Sequence, residues 1–109
     1  MHENLQITFR GMASSPAIEL LIQERMDRLA RISPLIQRCH VVVEQPHRHH
    51  HKGRAYDVRL DIVTHADEVV ITRESEDTAG HEPLQAAIRD AFDAATRQLE
   101  GRMARRRSA

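Results

Sequence analysis

From Tyr56 to Ile62 the chain alternates without a break. Tyr56, Val58, Leu60 and Ile62 are apolar, and Asp57, Arg59 and Asp61 between them are charged. Successive side chains of a strand point to opposite faces, so this segment is a strand with one dry and one wet face. A chain built around it needs a sheet covered on one side only, with amphipathic elements supplying the cover. Leu5, Ile7 and Phe9, alternating with Gln6, Thr8 and Arg10, give a second half-buried strand, ended at Gly11. Cys39, Val41 and Val43 give a third, closed by Pro46, and Glu68 to Arg73 returns as a fourth after the short turn His65-Ala66-Asp67.

Two further segments have the helical period instead. Ser15-Pro16 reads as N-cap and first helical residue, because proline has no N–H to leave unsatisfied there. Ile18, Leu21, Ile22, Met26 and Leu29 follow as an apolar stripe, and Ser33-Pro34 stops it. An acidic loop from Glu74 to Glu82 leads to Pro83 and a longer helix in which Leu84, Ile88, Phe92, Ala95, Leu99 and Met103 share one face. The order is β-α-β-β-β-α, an α+β chain. The first helix implies a right-handed parallel crossover between the first two strands, while the later strands, joined without helices, run antiparallel. Each helix has a single stripe, so both are expected on one face of a four-stranded sheet. Residues 1–109 are expected to form a single domain, with 101–109 an arginine-rich helical extension or tail.

Several function classes are disfavoured. One cysteine, Cys39, makes no internal disulfide, and it falls within an apolar strand pattern that marks it as core. The apolar runs are too short to span a membrane, and the start at Met1 has no secretory pattern, so a reducing cytoplasm is the expected compartment. Aromatic residues are 3% of the chain, too few for a base-stacking platform. The glycines at 11, 53, 80 and 101 form no phosphate-cradling loop. Ser14, Ser15 and Ser75 lack the context of an activated nucleophile, and no pair of groups announces an acid and a base. The expectation is therefore a protein that is not an enzyme, with no cofactor and no small-molecule substrate.

Sixteen basic and sixteen acidic residues cancel, but they are not mixed evenly. Residues 66–82 hold six acids (Asp67, Glu68, Glu74, Glu76, Asp77, Glu82) against Arg73 alone. From Gly101 onward Arg102, Arg105, Arg106 and Arg107 are accompanied by no acid. Such asymmetry fits a polyanion on one face, and equally a solvated surface of ion pairs. In the first helix Arg25, Arg28 and Arg31 recur every third residue beside the apolar stripe. In the second, Arg89 and Arg97 lie on the solvent side, and the arginine tail continues the helix. A guanidinium fork donates two parallel hydrogen bonds and so suits phosphate. Against that, Glu24, Asp27, Asp90, Asp93 and Glu100 stand at spacings that allow pairing within each helix.

The most conspicuous segment is His47-Arg48-His49-His50-His51-Lys52-Gly53-Arg54, a polar loop between the second and third strands. If extended, His47, His49 and His51 point to one side and could approach a divalent metal. Otherwise Arg48, Lys52 and Arg54 make the loop a cationic finger for RNA, or it is a solvated connection without a role.

The order of elements and certain helical motifs resemble the ribosome hibernation-promoting factor family, which includes the ribosome-associated translation inhibitors and is often labelled sigma-factor modulation protein. The likeness covers about residues 4–107. Leu84-Gln85-Ala86-Ala87-Ile88-Arg89-Asp90 is similar to the opening of the family's second helix, with Arg97-Gln98-Leu99 at the family's spacing behind it. Ala17-Ile18-Glu19-Leu20-Leu21-Ile22, followed by Arg25, Arg28 and Leu29, looks like its first helix. Gln85 stands where the family usually has tyrosine, and Pro83 where it has an acid. The resemblance implies a double-stranded-RNA-binding-like fold that docks on the small ribosomal subunit in the channel for messenger and transfer RNA. There it would stop translation during starvation or stationary phase. It also implies that Arg25, Arg28, Arg97, Arg102, Arg105 and Arg107 meet rRNA, to which the spacing adds Arg31 and Arg89. The chain ends at Ala109 and so reads as a short form of the family. Two other readings stay open: a metal-binding protein using His47, His49, His50 and His51, and an interaction module acting on a protein regulator.

Overall fold

The computed structural model describes residues 4–46, 55–77 and 80–108. Within them the elements are β1 (Leu5–Arg10), α1 (Pro16–Ile32), β2 (Ile36–Glu44), β3 (Asp57–Thr64), β4 (Glu68–Glu74) and α2 (Glu82–Ser108). This is the expected α+β order. The strands lie side by side as β1-β2-β3-β4, with β1 parallel to β2 and the other neighbours antiparallel.

Local chemistry sets the ends of the elements. Gly11 follows β1 with φ +68°, in the left-handed region where an L side chain is strained. Ser15 caps α1: its Oγ accepts from the Ile18 N–H at 3.3 Å, and Pro16 occupies the first turn. At the other end the Ser33 N–H donates to the Leu29 carbonyl at 2.8 Å before Pro34 ends the helix. Strand β2 begins at Ile36, earlier than the alternation from Cys39 indicates, because β3 is long enough to pair there. A register shift between Ile36 and Arg38 interrupts the local pattern. Tyr56, read from sequence as strand, precedes β3. Its N–H donates to Ser75 Oγ and its carbonyl accepts from the Ser75 N–H, both at 2.8 Å.

Register explains the single core. Cys39, Ile62 and Val69 are opposite one another across three strands, as are Val41, Leu60 and Ile71. These residues pack with Ile18, Ile22, Met26 and Leu29 of α1 and with Leu84, Ile88, Ala91, Phe92, Ala95 and Leu99 of α2. Both helices therefore cover one face, and they contact each other. A fully buried isoleucine or leucine contributes about 1.5–3 kcal/mol relative to an exposed one, so these residues carry most of the fold. Among the described residues no helix covers the other face. On it Thr8 Oγ1 and His40 Nε2 are 2.8 Å apart, and the Arg59 guanidinium donates to Asp61 at 3.0 Å.

Candidate nucleic-acid interface

Chain direction sorts the charges. Strands β1, β2 and β4 run one way, while β3 and the connecting helix α1 return. Helix α2 follows β4 and descends again, since its Arg102 and Arg106 reach Asp67 in the β3–β4 turn. Both helices thus finish at the same end of a molecule about 50 Å long. That end carries Arg28 and Arg31 from the last turns of α1, Arg38 at the start of β2, and Arg102, Arg105, Arg106 and Arg107 of α2. Arginine is well placed there, because the C-terminal end of a helix carries partial negative charge.

The opposite end is acidic among the described residues. Arg10, Glu44, Asp57 and Glu74 form one row across all four strands, so three carboxylates stand directly opposite one another. Glu76, Asp77 and Glu82 follow. Like charges facing each other across strands are destabilising, so this row is not there for the sheet's stability.

Helix geometry separates the arginines further. At about 100° per residue, Arg25 lies about 60° from the buried Ile22, Arg28 about 120°, and Arg31 on the far side. Arg25 is half-buried and the other two are exposed. Arg97 projects opposite the buried stripe of α2. Arg89 lies near the start of α2, roughly 20 Å along the helix from Arg102, so the structure does not bring it to the arginine end. Among the described residues, Arg25, Arg28, Arg31, Arg89, Arg97, Arg105 and Arg107 form no ion pair within 4 Å. The helical pairing that the sequence allows for Asp90 is not made: Asp90 accepts from Arg73 of β4 at 2.6 Å instead.

Arg102 differs from the rest. It and Arg106 both bind the Asp67 carboxylate, Arg102 at 3.1 Å. The family resemblance sets Arg102 among the RNA-facing groups and gives no part to Arg106 or Asp67. A signal was present: Arg106 is five helical turns beyond Ile88 and so returns to the buried face.

The loop of His47, Arg48, His49, His50, His51, Lys52 and Arg54 lies outside the described residues, and with it the metal reading. Among the described residues no group of three or more His, Cys, Asp or Glu could hold a metal. Cys39 is buried, and burial, with a smaller contribution from Asp61, pushes its thiol up to about 12, which leaves it neutral and unreactive. No described helix is long and apolar enough to cross a membrane.

Residues 5–107 match the family model described as sigma 54 modulation protein / S30EA ribosomal protein. The chain belongs to that family. The family is a ribosome-associated modulation class. Its fold recurs in solved structures. A ribosomal subunit interface protein from Coxiella burnetii superposes with a TM-score of 0.73 at 16% identity, over 92% of this chain and 97% of that one. The N-terminal domain of Protein Y from Thermus thermophilus superposes with a TM-score of 0.67 at 18% identity, over 86% and 91%. At those identities the likeness is one of fold. No curated protein matches the chain by sequence.

Proposed function

We propose that this protein binds the small ribosomal subunit through rRNA phosphates and represses translation under stress or in stationary phase by occupying the channel for messenger and transfer RNA. The observation that carries this reading is the gathering at one end, in a member of a ribosome-associated family, of the exposed Arg28, Arg31, Arg105 and Arg107, which among the described residues have no carboxylate within ion-pair distance. The contacts are of shape and charge. Guanidinium forks bind phosphates in pairs of hydrogen bonds, and the body of the domain supplies the bulk that obstructs the channel. The step needs no covalent chemistry, and such binding takes place in the cytoplasm.

Arg25 and Arg28 form the flank of α1, Arg31 adds its last turn, and Arg97, Arg105 and Arg107 contribute from α2. The test is co-sedimentation of the protein with small subunits over a salt series, beside Arg25→Glu/Arg28→Glu. Binding through phosphates weakens with salt at a log–log slope of about −0.7 to −0.9 per phosphate contacted, and the double reversal removes it. A flat salt profile, or pelleting unchanged by the reversal, overturns the proposal.

A further inference from the structure

Among the described residues the core beneath the second helix ends at Leu99, yet the helix continues in the same direction. Leu99 is the last fully packed residue of α2, and the helix continues to Ser108. On that overhang Arg102 and Arg106 occupy the face that Ile88, Ala95 and Leu99 occupy above it. Where apolar packing stops, these two guanidinium groups meet Asp67. Arg102 Nη1 donates to Oδ1 at 3.1 Å and Arg106 Nη2 donates to Oδ2, so both carboxylate oxygens are engaged.

Asp67 is itself held by a buried anchor. Its N–H donates to Thr64 Oγ1 at 3.0 Å, and its carbonyl accepts from the Thr64 N–H at 2.9 Å and from Thr64 Oγ1 at 3.3 Å. Thr64 is only 8% exposed and also accepts the Ala66 N–H at 3.3 Å. The carboxylate is therefore presented by a turn locked to the sheet. A crowded set of arginines on a short unsupported helix, interrupted by Gly101, would otherwise repel and fray.

We infer that Asp67 is a positioning residue for the RNA-binding end: it clamps the α2 overhang to the β3–β4 turn through Arg102 and Arg106, so that Arg105 and Arg107 are held in place for phosphates. This rests on the ribosomal reading above and refines it. Arg102 and Arg106 serve as anchors, and the phosphate contacts of α2 fall to Arg97, Arg105 and Arg107. Were Arg102 and Arg106 phosphate ligands instead, Asp67 would compete with RNA for them. The two arrangements give opposite signs when the carboxylate is removed.

The test uses the full chain, with Asp67→Asn and Asp67→Glu. Amide hydrogen exchange is read along α2 without ribosomes, and co-sedimentation with small subunits is read across salt. In Asp67→Asn, exchange over residues 101–108 rises several-fold while Ile88 to Leu99 keep their protection, which shows that the fold survives. Affinity for the subunit falls several-fold, and Arg102→Gln added to that variant costs nothing more. Asp67→Glu restores both protection and affinity. Unchanged exchange over 101–108 overturns the clamp. Tighter binding or a steeper salt slope in Asp67→Asn overturns the positioning role and makes Asp67 a competitor. Failure of the unsubstituted protein to pellet would refute the ribosomal reading, whereas the exchange profile judges the clamp separately.

Discussion

The two ends of this molecule are built by the same sheet and carry opposite charge. At one end the last turns of α1 and the overhang of α2 present arginines, of which, among the described residues, only Arg102 and Arg106 have a carboxylate partner within 4 Å. At the other, Glu44, Asp57 and Glu74 stand in a row with Arg10 at its edge. Formal neutrality of the whole chain conceals this separation. A polyanion approaching such a molecule is drawn to one end and repelled from the other, which orients it before contact. Net charge is thus a poor guide to nucleic-acid binding when topology sorts the charges by end.

The largest effect expected is one that does not discriminate between the ends. Leu60 is fully buried at the centre of the sheet, so Leu60→Ala should lower unfolding free energy by about 2–5 kcal/mol in denaturant titration. At temperatures where the variant stays folded, its salt slope for subunit binding should match that of the unsubstituted protein. A changed slope would mean that the arrangement of the arginine end depends on packing at the centre of the sheet.

Next in size is a direct contrast of the ends. Arg25→Glu/Arg28→Glu should weaken subunit association by about 10²-fold or more, two charge-assisted contacts at about 1.5 kcal/mol each. Reversal at the far end, Glu74→Lys/Glu76→Lys, should leave association unchanged or raise it slightly, measured in the same sedimentation series. Equal losses from both pairs would show that the two ends do not differ in their part in binding.

A smaller effect belongs to the acidic end alone. Ser75 is 7% exposed, and its Oγ accepts the buried Tyr56 N–H. Ser75→Ala leaves that donor without its partner and should cost about 1–3 kcal/mol in stability. Ribosome affinity should be kept, and a matching loss of affinity would show the two ends to be coupled.

The smallest effect at ordinary pH comes from Cys39. Burial first, and the Asp61 charge second, raise its thiol from an ordinary 9.0 to about 12. A raised folded value means that the neutral thiol's contribution is complete below about pH 9. It is then lost as pH climbs towards about 12, because the unfolded chain ionises first. Stability should therefore fall by about 1.4 kcal/mol per pH unit in that window relative to Cys39→Ala, in chemical denaturation at stepped pH. Native protein should resist thiol alkylation near pH 8, and ready labelling of the folded state would contradict this burial.

Most of the architecture was legible from periodicity. The alternation from Tyr56 to Ile62 announced a half-covered sheet, and Ser15-Pro16 and Ser33-Pro34 bounded α1 where the structure has its caps. The boundaries that differed depended on a neighbour: Ile36 joins β2 because β3 offers it a partner, and Tyr56 leaves β3 because Ser75 takes its backbone. Of the arginines, spacing along the helix identified which ones leave the buried stripe. It did not show that Arg89 stands far from the others, nor that Asp90 turns to Arg73.

The order of the elements, their dry faces and the family follow from local patterns, because propensity, capping and hydrophobic period are properties of neighbouring residues. Tertiary structure alone decided which charges meet. Asp67 and Arg106 are far apart in sequence and share no pattern. They are joined because a β-turn and a helix overhang arrive at the same end of one sheet. Charge pairing depends on distance in space, and only the completed fold supplies that distance.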